Sequence, residues 1–239
     1  MNTLERAHSA CVMAQRLNNK AATEIENGAY DRAVRTLNHA LRLSRADFRQ
    51  SQTAHIFMLE ACISYSQSAS PVSPVGPQPE TTVEEDRAAA EQGNQSGLVI
   101  YQQTLRVPPE YMTRPMGRIL PLLVMYNMAL ANQLKSTQED TPADHKRALL
   151  NRSLQVYELA YRWQNKEEHK SLRFNMILVN NIGDIHRRVN NRSKCQRCMR
   201  QLMRTMMYVQ VTDGGEDSRL IPIMETFRRN IKMSGAGAA

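Results

Sequence analysis

Apolar and small residues recur at three- and four-residue steps over most of this chain. Over residues 3–27 they fall at Leu4, Ala7, Ala10, Cys11, Ala14, Leu17, Ala21 and Ile25, which makes one face of a helix. Asn27-Gly28 ends it, because glycine takes positive φ at no steric cost. A second helix is expected from about Tyr30-Asp31, with Ala33, Val34, Leu37, Ala40, Leu41 and Leu43 on one side, and a third within Phe48–Tyr65. Further helices are expected at about 115–135, 143–165, 169–190, 192–210 and 217–231, the last two separated at Asp213-Gly214-Gly215. Leu98–Val107 reads instead as extended, since Pro108-Pro109 forbids helix there.

The pattern fails between Gln67 and Gly97, where Pro71, Pro74, Pro77 and Pro79 and the acidic Glu84-Glu85-Asp86 replace bulky apolar residues. We expect a disordered insertion there, because it buries too little surface to offset its chain entropy. This divides the chain into 1–66, 67–97, 98–233 and a flexible tail, 234–239. Ile119–Leu134 is uncharged and apolar but only 16 residues long. It is too short for a membrane span and reads as a buried helix. Met1–Leu17 has no apolar signal core, and four cysteines in 239 residues do not make a disulfide framework. The expectation is an intracellular protein, cytoplasmic or nuclear, with no membrane partner.

The helices repeat as pairs. From Ala21, Gly28 follows by seven, Ala33 by twelve, Leu37 by sixteen and Ala40 by nineteen. From Gly183, the same offsets reach Asn190, Cys195, Met199 and Leu202. Asparagine pairs precede both: Asn18-Asn19 and Asn180-Asn181. A looser third copy holds Asn127-Met128-Ala129 with Ser153, Tyr157 and Ala160, across a turn about twelve residues longer. Small residues at matched places let paired helices approach closely, and each hairpin must stack on the next to bury its apolar face.

This spacing, with Asn27-Gly28-Ala29-Tyr30-Asp31-Arg32-Ala33, Leu37 and Ala40, resembles the tetratricopeptide repeat (TPR) and the TPR-like helical superfamily. The resemblance implies an all-α fold of about three hairpins and a C-terminal capping helix, wound as a right-handed α-solenoid. It implies a protein-binding scaffold whose concave surface is lined by the first helix of each pair. Asn18, Tyr126, Asn180, Asp184 and Arg187 fall at groove-lining places in that pattern.

Catalytic chemistry finds little support. Cys195-Gln196-Arg197-Cys198 is the one CxxC, but no second paired spacing completes a zinc site and no strand precedes it. Cys195 falls at the small packing position of its hairpin, so packing is the expected role. His186 has no nucleophile motif, and no glycine-rich loop carries a following lysine. No cofactor is expected. Net charge is +8, and much of it lies in Arg187, Arg188, Arg192, Lys194, Arg197, Arg200 and Arg204, seven cations in 18 residues without an acid between them. The partner expected is therefore a protein or peptide, and this charge admits an acidic one. The alternative is a helical-repeat protein that binds RNA or another polyanion through this C-terminal hairpin.

Overall fold

The computed structural model describes residues 3–44, 55–69, 98–166, 170–212 and 221–235. The core of the expected insertion, the Asp213-Gly214-Gly215 break and most of the C-terminal tail lie outside the described residues. Eight α-helices are described: α1 (Thr3–Glu26), α2 (Tyr30–Ser44), α3 (His55–Ala69), α4 (Ile119–Lys135), α5 (Ala143–Asn165), α6 (Leu172–Arg188), α7 (Arg192–Thr212) and α8 (Ile221–Met233). No strand occurs among the described residues, so they are all-α. α3 continues through Ala69, so its last three residues, Gln67, Ser68 and Ala69, are helical although they fall within the expected 67–97 insertion.

α1 pairs with α2, α4 with α5 and α6 with α7. The hairpins stack in chain order, α2 against α4 and α5 against α6, and α8 packs on α7. One continuous cluster of buried apolar side chains runs from Cys11 in α1 to Ile231 in α8. α4 is buried along nearly its whole length, from Ile119 to Gln133, as its uncharged sequence requires.

The repeat offsets correspond to real contacts. Ala21, Ala33, Leu37 and Ala40 are fully buried, as are Ala129, Tyr157, Ala160, Met199 and Leu202. Ser153 Oγ donates to the Ala129 carbonyl at 2.6 Å, which fixes how closely α5 lies on α4. A Cβ on Gly183 would stand 2.3 Å from Met199 Cε and 3.3 Å from Cys198 Cβ, so glycine sets the α6–α7 approach. The seventh-residue position is a helix stop. Gly28 (φ 73°) and Asn190 (φ 60°) both take the left-handed conformation. Gly28 N–H donates to Ile25 O and Ala29 N–H to Glu24 O; Asn190 N–H donates to Arg187 O and Asn191 N–H to His186 O. These are matching Schellman caps at repeat-equivalent places.

Candidate functional site

The segment Leu98–Val107 decides what the inner face of the stack can do. It is neither helix nor sheet, yet Leu98, Ile100, Tyr101, Thr104, Leu105 and Val107 are all buried. Buried main chain needs partners, and here asparagines on four helices supply them. Val99 N–H donates to Asn230 Oδ1 at 2.7 Å, and Asn230 Nδ2 donates back to Val99 O at 2.8 Å. Asn181 does the same for Tyr101, at 2.9 and 3.0 Å. Asn127 holds Leu105 at 2.8 and 2.7 Å, and Asn19 holds Val107 at 2.7 Å in both directions. The Tyr126 hydroxyl fills the gap, within reach of Tyr101 O at 3.1 Å and Gln103 O at 3.0 Å.

A carboxamide is the one side chain that offers an acceptor and a donor side by side. It can close a two-bond ring on a single residue of an extended chain. The rungs run from α8 through α6 and α4 to α1. Helix axes lie roughly 8–10 Å apart, and a chain reaches at most about 3.3–3.6 Å per residue. Eight steps from Val99 to Val107 therefore cross these helices only if the segment is nearly stretched. α3 closes the other side: Arg106 N–H donates to Ser66 Oγ at 2.8 Å, the Gln103 amide reaches Ser66 O, and Gln67 Nε2 donates to the Tyr101 hydroxyl at 3.4 Å. Arg106 also pairs with Glu26 at 2.5 Å.

Four of the five expected groove residues are thereby corrected. Asn18, Tyr126, Asn180 and Asp184 line no free surface; all are fully buried. Asn18 donates to Leu105 O at 2.9 Å and Asn180 to Val99 O at 3.1 Å, each beside the asparagine that makes the two-bond ring. Burial pushes the Tyr126 and Tyr157 hydroxyls far above the usual phenol range and Tyr101 up to about 12, so all three stay neutral. Tyr126 and Tyr101 donate, and the Tyr157 hydroxyl accepts from Asn181 Nδ2 at 3.1 Å. Asp184 faces α4 and its own helix end: it accepts from Gln133 at 2.9 Å, from Arg188 at 2.6 Å and from Arg187 at 3.2 Å. Arg187, the fifth, keeps 40% of its side chain exposed but is tied to this buried acid. Asn19, Asn127, Asn181 and Asn230 were missing from the sequence-level set. Three of them carry a detectable signal: each sits two residues before the small residue of its hairpin, Ala21, Ala129 or Gly183.

The remaining basic residues behave differently. Arg192, Lys194, Arg197, Arg200 and Arg204 are all exposed on α7. At about 100° per residue, Arg197, Arg200 and Arg204 share an arc of about 60°, opposite the buried Cys195, Met199, Leu202, Met206 and Val209. Arg192 and Lys194 flank that arc at the helix start. No ion pair joins any of these five to a carboxylate among the described residues. Exposed Met207 and Tyr208 follow at its end.

The CxxC thiols are free, and burial is the largest influence on both, raising Cys195 and pushing Cys198 up to about 11. That is the opposite of an activated thiolate. Cys195 is buried against the α6 face, in keeping with its packing position. Among the described residues no three metal-ligating side chains cluster, and no helix is long and apolar enough to cross a membrane. Comparison with protein-family models, curated proteins and solved structures finds no match.

Proposed function

We propose that this chain is a non-enzymatic, TPR-like interaction scaffold, a right-handed solenoid of three hairpins. Its inner groove is occupied by its own segment, and its partner-binding surface is the basic ridge of α7. The observation that carries this reading is the asparagine ladder. Repeat-matched asparagines on α1, α4 and α6 hold a stretched polypeptide by its main chain, and stacked helical repeats offer extended concave surfaces on which such a segment can lie. With that groove filled, α7 still presents a row of exposed cations with no ion pair among the described residues, Arg197, Arg200 and Arg204 with Arg192 and Lys194. Guanidinium groups in one row suit carboxylates presented by an acidic protein segment.

The alternative of RNA or another polyanion draws on the exposed Tyr208 beside the same ridge. Titrating the full chain with an acidic peptide and with single-stranded RNA, across a salt series, separates the two. The scaffold reading expects the peptide to bind at about 0.15 M salt and the triple reversal Arg197→Glu, Arg200→Glu, Arg204→Glu to abolish binding. RNA binding that displaces the peptide and falls steeply with salt would favour the alternative.

A further inference from the structure

Beside the ridge, α7 and α8 leave a cavity of about 420 Å³ that the asparagine ladder does not involve. Its floor is Met203, Met206, Met207 and Ile231, and its rim carries Arg228 and Lys232. Met207 is 58% exposed and Met206 is buried, so the apolar surface runs from solvent into the core. On α7, Met203 and Met207 lie on the side of Arg200 and Arg204 nearer to α8, so cations stand on both flanks of the apolar floor. No carboxylate lines it among the described residues. Glu225 shares the α8 face with Arg228, Arg229 and Lys232, and the face stays positive with it counted.

We infer that this cleft docks an acidic amphipathic helix of a partner protein, which seats one or two bulky apolar side chains among the methionines and sets its carboxylates against Arg228, Lys232 and the α7 ridge. This rests on the scaffold reading and names the kind of partner. Three features select that occupant. A trough between two helices accepts a third helix, ridge into groove. Thioether side chains adapt to different apolar shapes, as surfaces that bind amphipathic helices require. The cationic flanks supply charge complementarity for acids placed on either side of an apolar stripe. A nucleic acid would need aromatic platforms, and none lines the cleft among the described residues.

The test uses the full chain labelled with methyl-¹³C methionine and titrated with a synthetic 18-residue helix bearing Leu at i, i+3, i+4 and i+7 and Glu on its flanks. The Met203, Met206 and Met207 methyl signals should shift saturably while Met199, in the α6–α7 contact, stays in place. Met207→Asp, an exposed change that leaves the core intact, should weaken binding at least tenfold, and the same helix with Lys for Glu should not bind. Methyl signals unmoved at saturating peptide would overturn the proposal, as would undiminished binding by Met207→Asp or equal binding of the Lys version. A segment of the chain already seated in the cleft would also leave the methyls unmoved. Binding that survives Met207→Asp but is lost in the α7 triple reversal would remove the cleft and leave the scaffold reading standing. No binding of the acidic helix at any salt would remove both.

Discussion

Two polar surfaces of this molecule have opposite fates. The asparagines of α1, α4, α6 and α8 point inward and hold the chain's own Leu98–Val107 by main-chain hydrogen bonds. The arginines of α7 point outward and meet no described acid. An amide can be buried when both its donor and its acceptor are matched, and a peptide unit matches both. An unpaired guanidinium cannot be buried at bearable cost. Asp184 shows the boundary case: it is buried because Gln133, Arg187 and Arg188 together satisfy it. The inner surface therefore contributes to stability, and the outer one stays exposed to solvent.

The largest effect should come from the ladder. Asn127→Ala removes both hydrogen bonds to Leu105 and strands its buried N–H, while Asn18 still serves the carbonyl. The expected loss is about 2–4 kcal/mol, two net hydrogen bonds and an orphaned donor, read from urea denaturation. Arg200→Glu on the ridge should stay within about 0.5 kcal/mol, and equal losses would erase the contrast.

Gly183→Leu comes next, at about 1–3 kcal/mol from overpacking against Met199 and Cys198. Pairing it with Met199→Ala should recover part of that loss, because the nearest obstacle is the Met199 methyl. A double-mutant cycle with no coupling would mean that the two helices are not in contact there.

Arg187→Glu sharpens the comparison at its border. It sets a carboxylate beside buried Asp184 and should cost up to about 1 kcal/mol, limited by solvent screening of a half-exposed side chain. A melting temperature unchanged from wild type would place Arg187 with the free ridge rather than with the buried network.

The smallest effect is in pH. Burial and then Lys194 hold His186 below its usual pKa, against Glu158. The unfolded chain thus takes up this proton first as pH falls. The contribution of neutral His186 is complete above about pH 6.5 and is lost as pH drops through 6.5 toward the folded value. Relative to His186→Gln, the wild type should lose stability between pH 7 and 5 in thermal melts. No change in that difference would show that His186 is as solvated as in the unfolded chain.

Helix positions were legible because periodicity and punctuation agree. α5 matches its expected 143–165 span, and Gly28 stops α1 as its φ requires. Two starts come late for local reasons. α4 begins at Ile119 because Gly117 (φ 50°) turns the chain just before it, and α6 begins at Leu172 because Ser171 caps it by accepting from Phe174 N–H at 2.9 Å. The site was half legible. The asparagine pairs stand out in the sequence, but an asparagine that grips a partner and one that grips its own chain look alike. What separates them is a contact between residues 22 to 131 positions apart, such as Asn127 with Leu105 and Asn230 with Val99. No local pattern encodes that. Asn230 lies outside the repeat and carries no signal at all.

Amide hydrogen exchange on the full chain tests the central claim most directly. If the asparagines hold the segment, the N–H groups of Val99, Tyr101, Leu105 and Val107 should be protected to near the level of the α4 and α6 core, because they open only when the stack opens. Exchange of those four amides at the rate of an unstructured surface loop would contradict the account and return the groove to an open, partner-facing surface.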